Sequence, residues 1–171
     1  MPVRPATDRM REAVYSSIGP AIADSRVLDL FAGTGAYGLE ALSRGAKEVV
    51  FIESSRKIAK ILSENRKTVD KSKGSHSQST LLVRDIRRHG LSMSERFDFI
   101  FADPPYARDE ETLADLVSLI ENERLAATVA PDGLLILESF TKSPLPESSL
   151  WTVEKEKKYG KTRVSFLTPV A

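Results

Sequence analysis

The chain has 171 residues, 41% hydrophobic and 29% charged, with a net charge of +1 and no cysteine. At about 150 residues per domain this predicts one domain spanning 1–171, and the composition excludes wholesale disorder, disulfides, thiolate zinc sites and thiol nucleophiles. Apolar runs such as Val49–Ile52 and Leu134–Leu137 are too short to span a bilayer, and the Met-Pro-Val-Arg-Pro start carries no secretory pattern, so a cytoplasmic protein is the default expectation.

The first element is a helix over Thr7–Ile18, with Met10, Val14 and Ile18 on one stripe and Thr7 as its cap; Gly19-Pro20 ends it. Strands and helices then alternate. Arg26–Phe31 reads as a strand, Ala36–Arg44 as a helix closed by Gly45, and Lys47–Glu53 as a strand. Ser54–Val69 carries Ile58, Ile61, Leu62 and Val69 at helical spacing behind Ser54 as cap. After a polar loop over Lys71–Thr80, strands follow at Thr80–Arg84 and Phe97–Ala102. A helix over Glu110–Ala127 and a strand over Gly133–Ser139 come next. Trp151–Lys158 and Thr162–Leu167, joined by Tyr159-Gly160-Lys161, read as a β-hairpin. The strands are apolar throughout, as strands covered on both faces are. The expected fold is α/β, a mostly parallel seven-stranded sheet of five parallel strands with a C-terminal antiparallel hairpin.

In such a sheet ligands bind outside the carboxyl ends of the strands. Those ends carry Asp29 with a glycine loop, Glu53, Asp85 and Asp103-Pro104-Pro105-Tyr106. Each acid could serve as a cap or turn residue, but four at successive strand ends exceed what packing requires. The loop Gly33-Thr-Gly35-Ala-Tyr-Gly38 matches G-x-G-x-x-G between a strand and a helix, with Glu53 twenty residues beyond Gly33. Glu53 can accept from both hydroxyls of a ribose. A nucleoside cofactor is therefore expected, and NAD and S-adenosylmethionine (AdoMet) both suit the motif. Asp29 favours AdoMet, since a fixed carboxylate suits ammonium and sulfonium charges better than a pyrophosphate. The short stretch after the fifth strand favours it too, because a dehydrogenase normally carries a larger substrate domain.

Asp103-Pro104-Pro105-Tyr106 is the most specific signal. Two successive prolines lack N–H groups and stiffen the loop, leaving the Asp103 carboxylate and nearby carbonyls as acceptors. Such a loop suits an –NH2 group, and Tyr106 offers a face on which a base stacks, worth about 1–3 kcal/mol. Two acceptors on an exocyclic amine turn its lone pair out of conjugation and aim it at a methyl sulfonium, and Asp103 can take the released proton.

Asp85 could accept from an adenine amine and Ile86 pack on its ring, or Asp85 could simply pair with Arg84 or Arg87. Tyr37 could cover the cofactor or face solvent. His76 and His89 lack metal-ligand spacing, and Trp151 reads as core. Basic residues concentrate in residues 1–11, 84–88 and 154–163, and would form a positive patch if these shared a face.

Arg4-Pro5-Ala6-Thr7-Asp8-Arg9 with Glu12, Val27 to Gly35, Gly38-Leu-Glu-Ala-Leu-Ser-Arg-Gly45-Ala46 and Asp103 to Tyr106 together resemble the RsmD family of bacterial 16S ribosomal RNA guanine-N2 methyltransferases, over nearly the whole chain. Three residues precede Arg4 where family members carry a longer basic segment, and Ala6 stands where Thr is frequent. The resemblance implies a class I AdoMet-dependent, Rossmann-like fold and methyl transfer to the N2 amine of a guanine in small-subunit ribosomal RNA. It implies that Asp29, Gly33 and Gly35 line the methionine part, Glu53 the ribose and Asp85 the adenine; Phe31 and Ile86 are further expected cofactor contacts. Asp103, Pro104, Pro105 and Tyr106 would hold the guanine. Thr7, within an N-terminal segment and helix over residues 1–20, would close over the cofactor. Arg4, Arg9, Arg84, Arg87, Arg88, Lys157, Lys158 and Lys161 are the expected RNA contacts. The expected product is S-adenosylhomocysteine, with no metal, and the expected partner is small-subunit ribosomal RNA or the assembling 30S subunit, approached by a monomer and away from any membrane. A DNA adenine-N6 methyltransferase and a non-catalytic nucleotide-binding module associated with RNA are the alternatives.

Overall fold

The computed structural model describes residues 5–73, 77–105 and 113–171. In chain order these form α1 (Pro5–Ile18), a 3-10 turn (Gly19–Ile22), β1 (Arg26–Asp29), α2 (Ala36–Ser43), β2 (Glu48–Glu53), α3 (Arg56–Lys73), β3 (Gln78–Val83), α4 (Ile86–His89), β4 (Phe97–Ala102), α5 (Leu113–Ile120), α6 (Glu123–Thr128), β5 (Val129–Phe140), β6 (Trp151–Tyr159) and β7 (Thr162–Pro169). The strands make one seven-stranded sheet in the order β3-β2-β1-β4-β5-β7-β6. The first five strands pair in parallel, while β7 pairs antiparallel with both β5 and β6. The sheet thus has the parallel body and antiparallel end that the sequence predicts.

Strict alternation sends successive side chains to opposite faces. Val49, Phe51, Phe99, Phe101, Ile136, Val164 and Phe166 point to one side, where Met10, Val14 and Tyr15 of α1, Ala41 and Leu42 of α2 and Leu62 of α3 cover them. Leu28, Val50, Ile52, Ile100, Leu135, Leu137 and Leu167 point to the other, under Leu116, Leu119 and Ile120 of α5 and Leu125 of α6. Both faces are therefore dry, which is why the strands read as continuous apolar runs. No helix among the described residues is long and apolar enough to cross a membrane.

Several boundaries move from their expected places. The first helix begins at Pro5, not Thr7, since proline is favoured in the first turn, where its missing N–H costs nothing. The cap of α3 is Ser55 in place of Ser54: its Oγ accepts from the Ile58 N–H at 3.3 Å. The helix expected over Glu110–Ala127 is two helices, because Asn122 starts α6 by accepting from the Leu125 N–H at 3.1 Å; residues 110–112 lie outside the described residues. The fifth strand starts early, at Val129, with a shift of register against β4 between Phe97 and Phe99. Pro131, which cannot donate to a ladder, lies within that irregular stretch.

Candidate active site

Strands β1, β2 and β4 end at nearly the same level, since Asp29 pairs with both Phe51 and Phe101. Above them opens a cavity of about 480 Å³, within the usual range for small-molecule sites. Its wall includes Phe31 and Gly33 from the β1–α2 loop, Glu53, Ser55 and Ile58 from the β2–α3 junction, and Asp85, Ile86 and Arg87 beyond β3; Asp103 and Pro105 border it from the end of β4. Residues from four strand ends, far apart in sequence, thus share one space.

Glu53 fixes the geometry of the loop. Its Oε2 accepts from the Gly33 N–H at 2.7 Å and its Oε1 from the Ser55 N–H at 3.0 Å. A carboxylate offers about four lone-pair sites, so both oxygens keep capacity for a ligand's hydroxyl groups. Gly35 holds a backbone φ of +95°, and a Cβ there would meet Leu62 Cδ1 at 2.3 Å. Gly38 lies flat on Phe51: a Cβ would come 2.2 Å from Phe51 Cε1. The second glycine therefore serves the turn, and the third serves close helix-on-strand contact, the role the motif gives it.

Asp29 does something other than expected. It does not line the cavity, and neither does Gly35. Asp29 is 3% exposed and its Oδ2 accepts from the Gly38 N–H at 3.0 Å, bracing the first turn of α2 from beneath. Burial pushes its carboxyl up to about 7; the Gly38 N–H opposes that rise, while the charges of Asp103 and Glu53 add to it.

Asp103 is half-buried, Pro104 buried and Pro105 exposed. Tyr106, expected to stack on the base, lies outside the described residues, as does Arg4; the side chain of Thr7 is likewise outside them. Asp85 lines the cavity, yet its Oδ1 accepts from the Arg87 N–H at 2.9 Å as the cap of α4, and its carboxylate lies 3.7 Å from both Arg87 and Arg88. The pairing with neighbouring arginine that the sequence allowed is thus present alongside the position in the wall.

Tyr37 neither covers the cavity nor faces solvent. Its ring stacks on Phe101 at 4.7 Å and 15°, and its hydroxyl donates to Glu138 Oε1 at 2.5 Å. The Tyr15 hydroxyl of α1 donates to the Tyr37 carbonyl. Tyr37 therefore ties the glycine loop to α1 and to the ends of β4 and β5. Burial, followed by the charge of Glu138, raises the proton affinity of its phenol. Glu138, 5% exposed, was missed in the sequence, where a lone acid inside an apolar strand was the available signal. Ser55 and Ile58 were missed as well, although their place just after a strand's carboxyl end marks them.

The basic segments do not form one patch. Arg84, Arg87 and Arg88 follow β3 at one edge of the sheet, and Lys157, Lys158 and Lys161 belong to the hairpin at the other. Six strand spacings, about 29 Å, separate them, with the cavity between. Arg163 leaves the basic set altogether. It is 6% exposed, donates to the carbonyls of Ser143 and Thr141 at 2.8 and 3.1 Å and lies 3.1 Å from Glu156. Arg9 is exposed on α1.

Residues 1–168 match the family model described as conserved hypothetical protein 95. The chain is 35% identical over 166 residues to a Bacillus subtilis (strain 168) protein provisionally named the rRNA methyltransferase YlbH, covering 95% of this chain and 86% of that one. It is 32% identical over 159 residues to the ribosomal RNA small subunit methyltransferase D of Escherichia coli (strain K12), covering 92% and 75%. Among solved structures, it is similar to an Escherichia coli protein provisionally named a methyltransferase, with a TM-score of 0.76 at 30% identity, covering 99% of this chain and 89% of the other.

Proposed function

The chain belongs to the small-subunit ribosomal RNA methyltransferase D (RsmD) family, and on that premise we propose that it transfers a methyl group from AdoMet to the exocyclic N2 amine of a guanine in small-subunit ribosomal RNA. Its fold is the class I, Rossmann-like methyltransferase fold with antiparallel C-terminal strands. The observation that carries the proposal is the meeting of Glu53, the glycine loop, Asp103 and Pro105 around one cavity.

The residues present suit AdoMet. Glu53 keeps lone pairs for the ribose hydroxyls, Phe31 and Ile86 supply apolar wall, and Gly33 leaves the backbone bare. When bound, AdoMet supplies an electrophilic methyl on its sulfonium. Asp103 and a carbonyl of the proline loop accept the two hydrogens of the target amine. That arrangement localises the nitrogen lone pair and points it at the methyl. Asp103 would take the proton that the amine nitrogen sheds on methylation. Orientation supplies most of the acceleration. Arginines beyond β3 and lysines of the hairpin meet RNA phosphates on either side of the cavity.

The test is transfer of labelled methyl from AdoMet to small ribosomal subunits lacking the modification, with large subunits and duplex DNA in parallel. Label in N2-methylguanosine from small subunits alone is expected. Label in N6-methyladenosine from DNA, or no transfer to any of the three, would overturn the proposal.

A further inference from the structure

A one-residue bulge decides which side chains of β6 face which side of the sheet. Trp151 and Val153 share the α5 side, where the Trp151 Nε1–H donates to the Ile120 carbonyl. The register then slips between Val153 and Lys155. Beyond the slip the sides exchange: Glu156 comes to the α5 side beside Arg163, and Lys155, Lys157 and Tyr159 turn to the α1 side. There the Nζ atoms of Lys155 and Lys157 each lie 3.4 Å from Ser17 Oγ. The two ammonium groups are thus within about 7 Å of one another, where like charges repel. Lys157 is the main cause lowering the proton affinity of Lys155. Neither ammonium has a carboxylate within ion-pair distance among the described residues. Lys155 also lies 5.9 Å over the Phe166 ring, which holds its stem in place.

Two cations without a counter-charge, converging on a hydroxyl, are the donor set of an oxyanion. The register says where it stands. Lys157 pairs with Val164 and Val164 with Glu138, and Glu138 follows Leu137, the partner of Ala102, as Asp103 follows Ala102. Lys157 therefore lies on the row of the sheet that ends at Asp103, three strand spacings or about 14 Å away. We propose that Ser17, Lys155 and Lys157 form a phosphate-binding site that grips one backbone phosphate of the RNA, on the α1 side of the row of the sheet that ends at Asp103. This rests on the ribosomal RNA reading above. The competing role is structural: the last turn of α1 has no basic residue of its own, and a cation at a helix C-terminus is favourable.

The test measures binding of a small-subunit ribosomal RNA transcript between about 50 and 200 mM salt. Two lysines sharing one phosphate predict that Lys155→Gln with Lys157→Gln lowers the log–log salt slope by about 0.7–0.9, the value for a single phosphate. Ser17→Ala should weaken binding by at least about tenfold with the slope kept, as loss of one hydrogen bond to a charged group does. Lys47→Gln is the control, because Lys47 is exposed just before β2, at the amino end of the parallel strands and away from the cavity, and it should leave the slope unchanged. An unchanged slope in the double variant, a fall of about twice that size, or an equal fall in the Lys47 control would each overturn the site. A lower Tm in the double variant with its slope intact would assign the lysines to α1 and also overturn it. Inorganic phosphate alone should not raise the Tm at millimolar concentration. If it stabilises the parent chain but not the double variant, with no change in RNA slope, the site belongs to a free anion. Failure of the parent chain to bind or methylate RNA would instead sink the functional reading, whereas normal transfer with an unchanged slope sinks only the phosphate site.

Discussion

Replacing Asp29 with asparagine should remove a pH dependence built into the sheet. The folded protein holds the Asp29 carboxyl at about 7, against an ordinary value of 3.8, chiefly through burial. Below about pH 4 the group is protonated in both the folded and unfolded chain. Between that point and about 7 the folded chain keeps the proton and the unfolded chain sheds it, so stability falls as pH rises. Above the folded value both forms are ionised and the loss is complete. A rise of roughly three units at 1.36 kcal/mol each sets a ceiling of about 4 kcal/mol on the loss. The asparagine carbonyl can still accept from the Gly38 N–H, but carries no proton to release. The difference in unfolding free energy, parent minus Asp29→Asn, should therefore shrink by up to about 4 kcal/mol from pH 4 to pH 7.5. Titrating groups that do not interact with Asp29 cancel in that difference, which leaves only its coupling to Asp103 and Glu53. Urea unfolding followed through Trp151, the single tryptophan and 7% exposed, measures it. A difference constant across the range to within about 0.5 kcal/mol would refute the claim that burial holds this proton.

Other substitutions probe the same corner. Gly38→Ala should destabilise by about 1–3 kcal/mol, since its methyl would meet the fully buried Phe51 ring at 2.2 Å; a urea midpoint matching the parent would show that α2 lifts freely. Tyr37→Phe keeps the stack on Phe101 and loses the bond to Glu138, at a cost of about 1.5–3 kcal/mol for a hydrogen bond to a charged group. A loss under about 0.5 kcal/mol in the same assay would show that Glu138 finds an equal partner elsewhere. Asp103→Ala should cut methyl transfer by at least about 100-fold, while calorimetry finds AdoMet affinity nearly unchanged. Full transfer would remove Asp103 from the chemistry.

The sheet was legible because strands buried on both faces must be apolar throughout, and Val49 to Ile52 or Phe99 to Ala102 could be little else. The glycine loop was legible because strand, helix and Glu53 stood at fixed offsets around it. What escaped depends on facts that spacing does not carry. Leu113, Leu116, Val117 and Ile120 make one helical stripe that runs on toward Ala127, so the interruption at Asn122 was silent. Asp29 looked like a ligand wall because its distance from Gly33 is short; only the three-dimensional path of the loop shows it beneath the loop, holding Gly38. Tyr37 read as either a cover for the cofactor or a solvent-facing ring because its partner Glu138 lies 101 residues on. The slip in β6 left no mark, since Glu154 to Lys158 is charged at every position and has no alternation to break.

That slip also bears on how the molecules treat one another in solution. A sheet that does not close has two rims of unpaired backbone groups, each a template for a neighbour's strand. At the β3 rim the strand is only six residues long. At the β6 rim it runs for nine, long enough to invite a second copy. There the irregular register and the charged run from Glu154 to Lys158 act together: the first bends the template, and the second must lose water before another strand can dock. Exchange of this charged run for neutral residues would make the rim adhesive, so that crowding during synthesis would become a hazard.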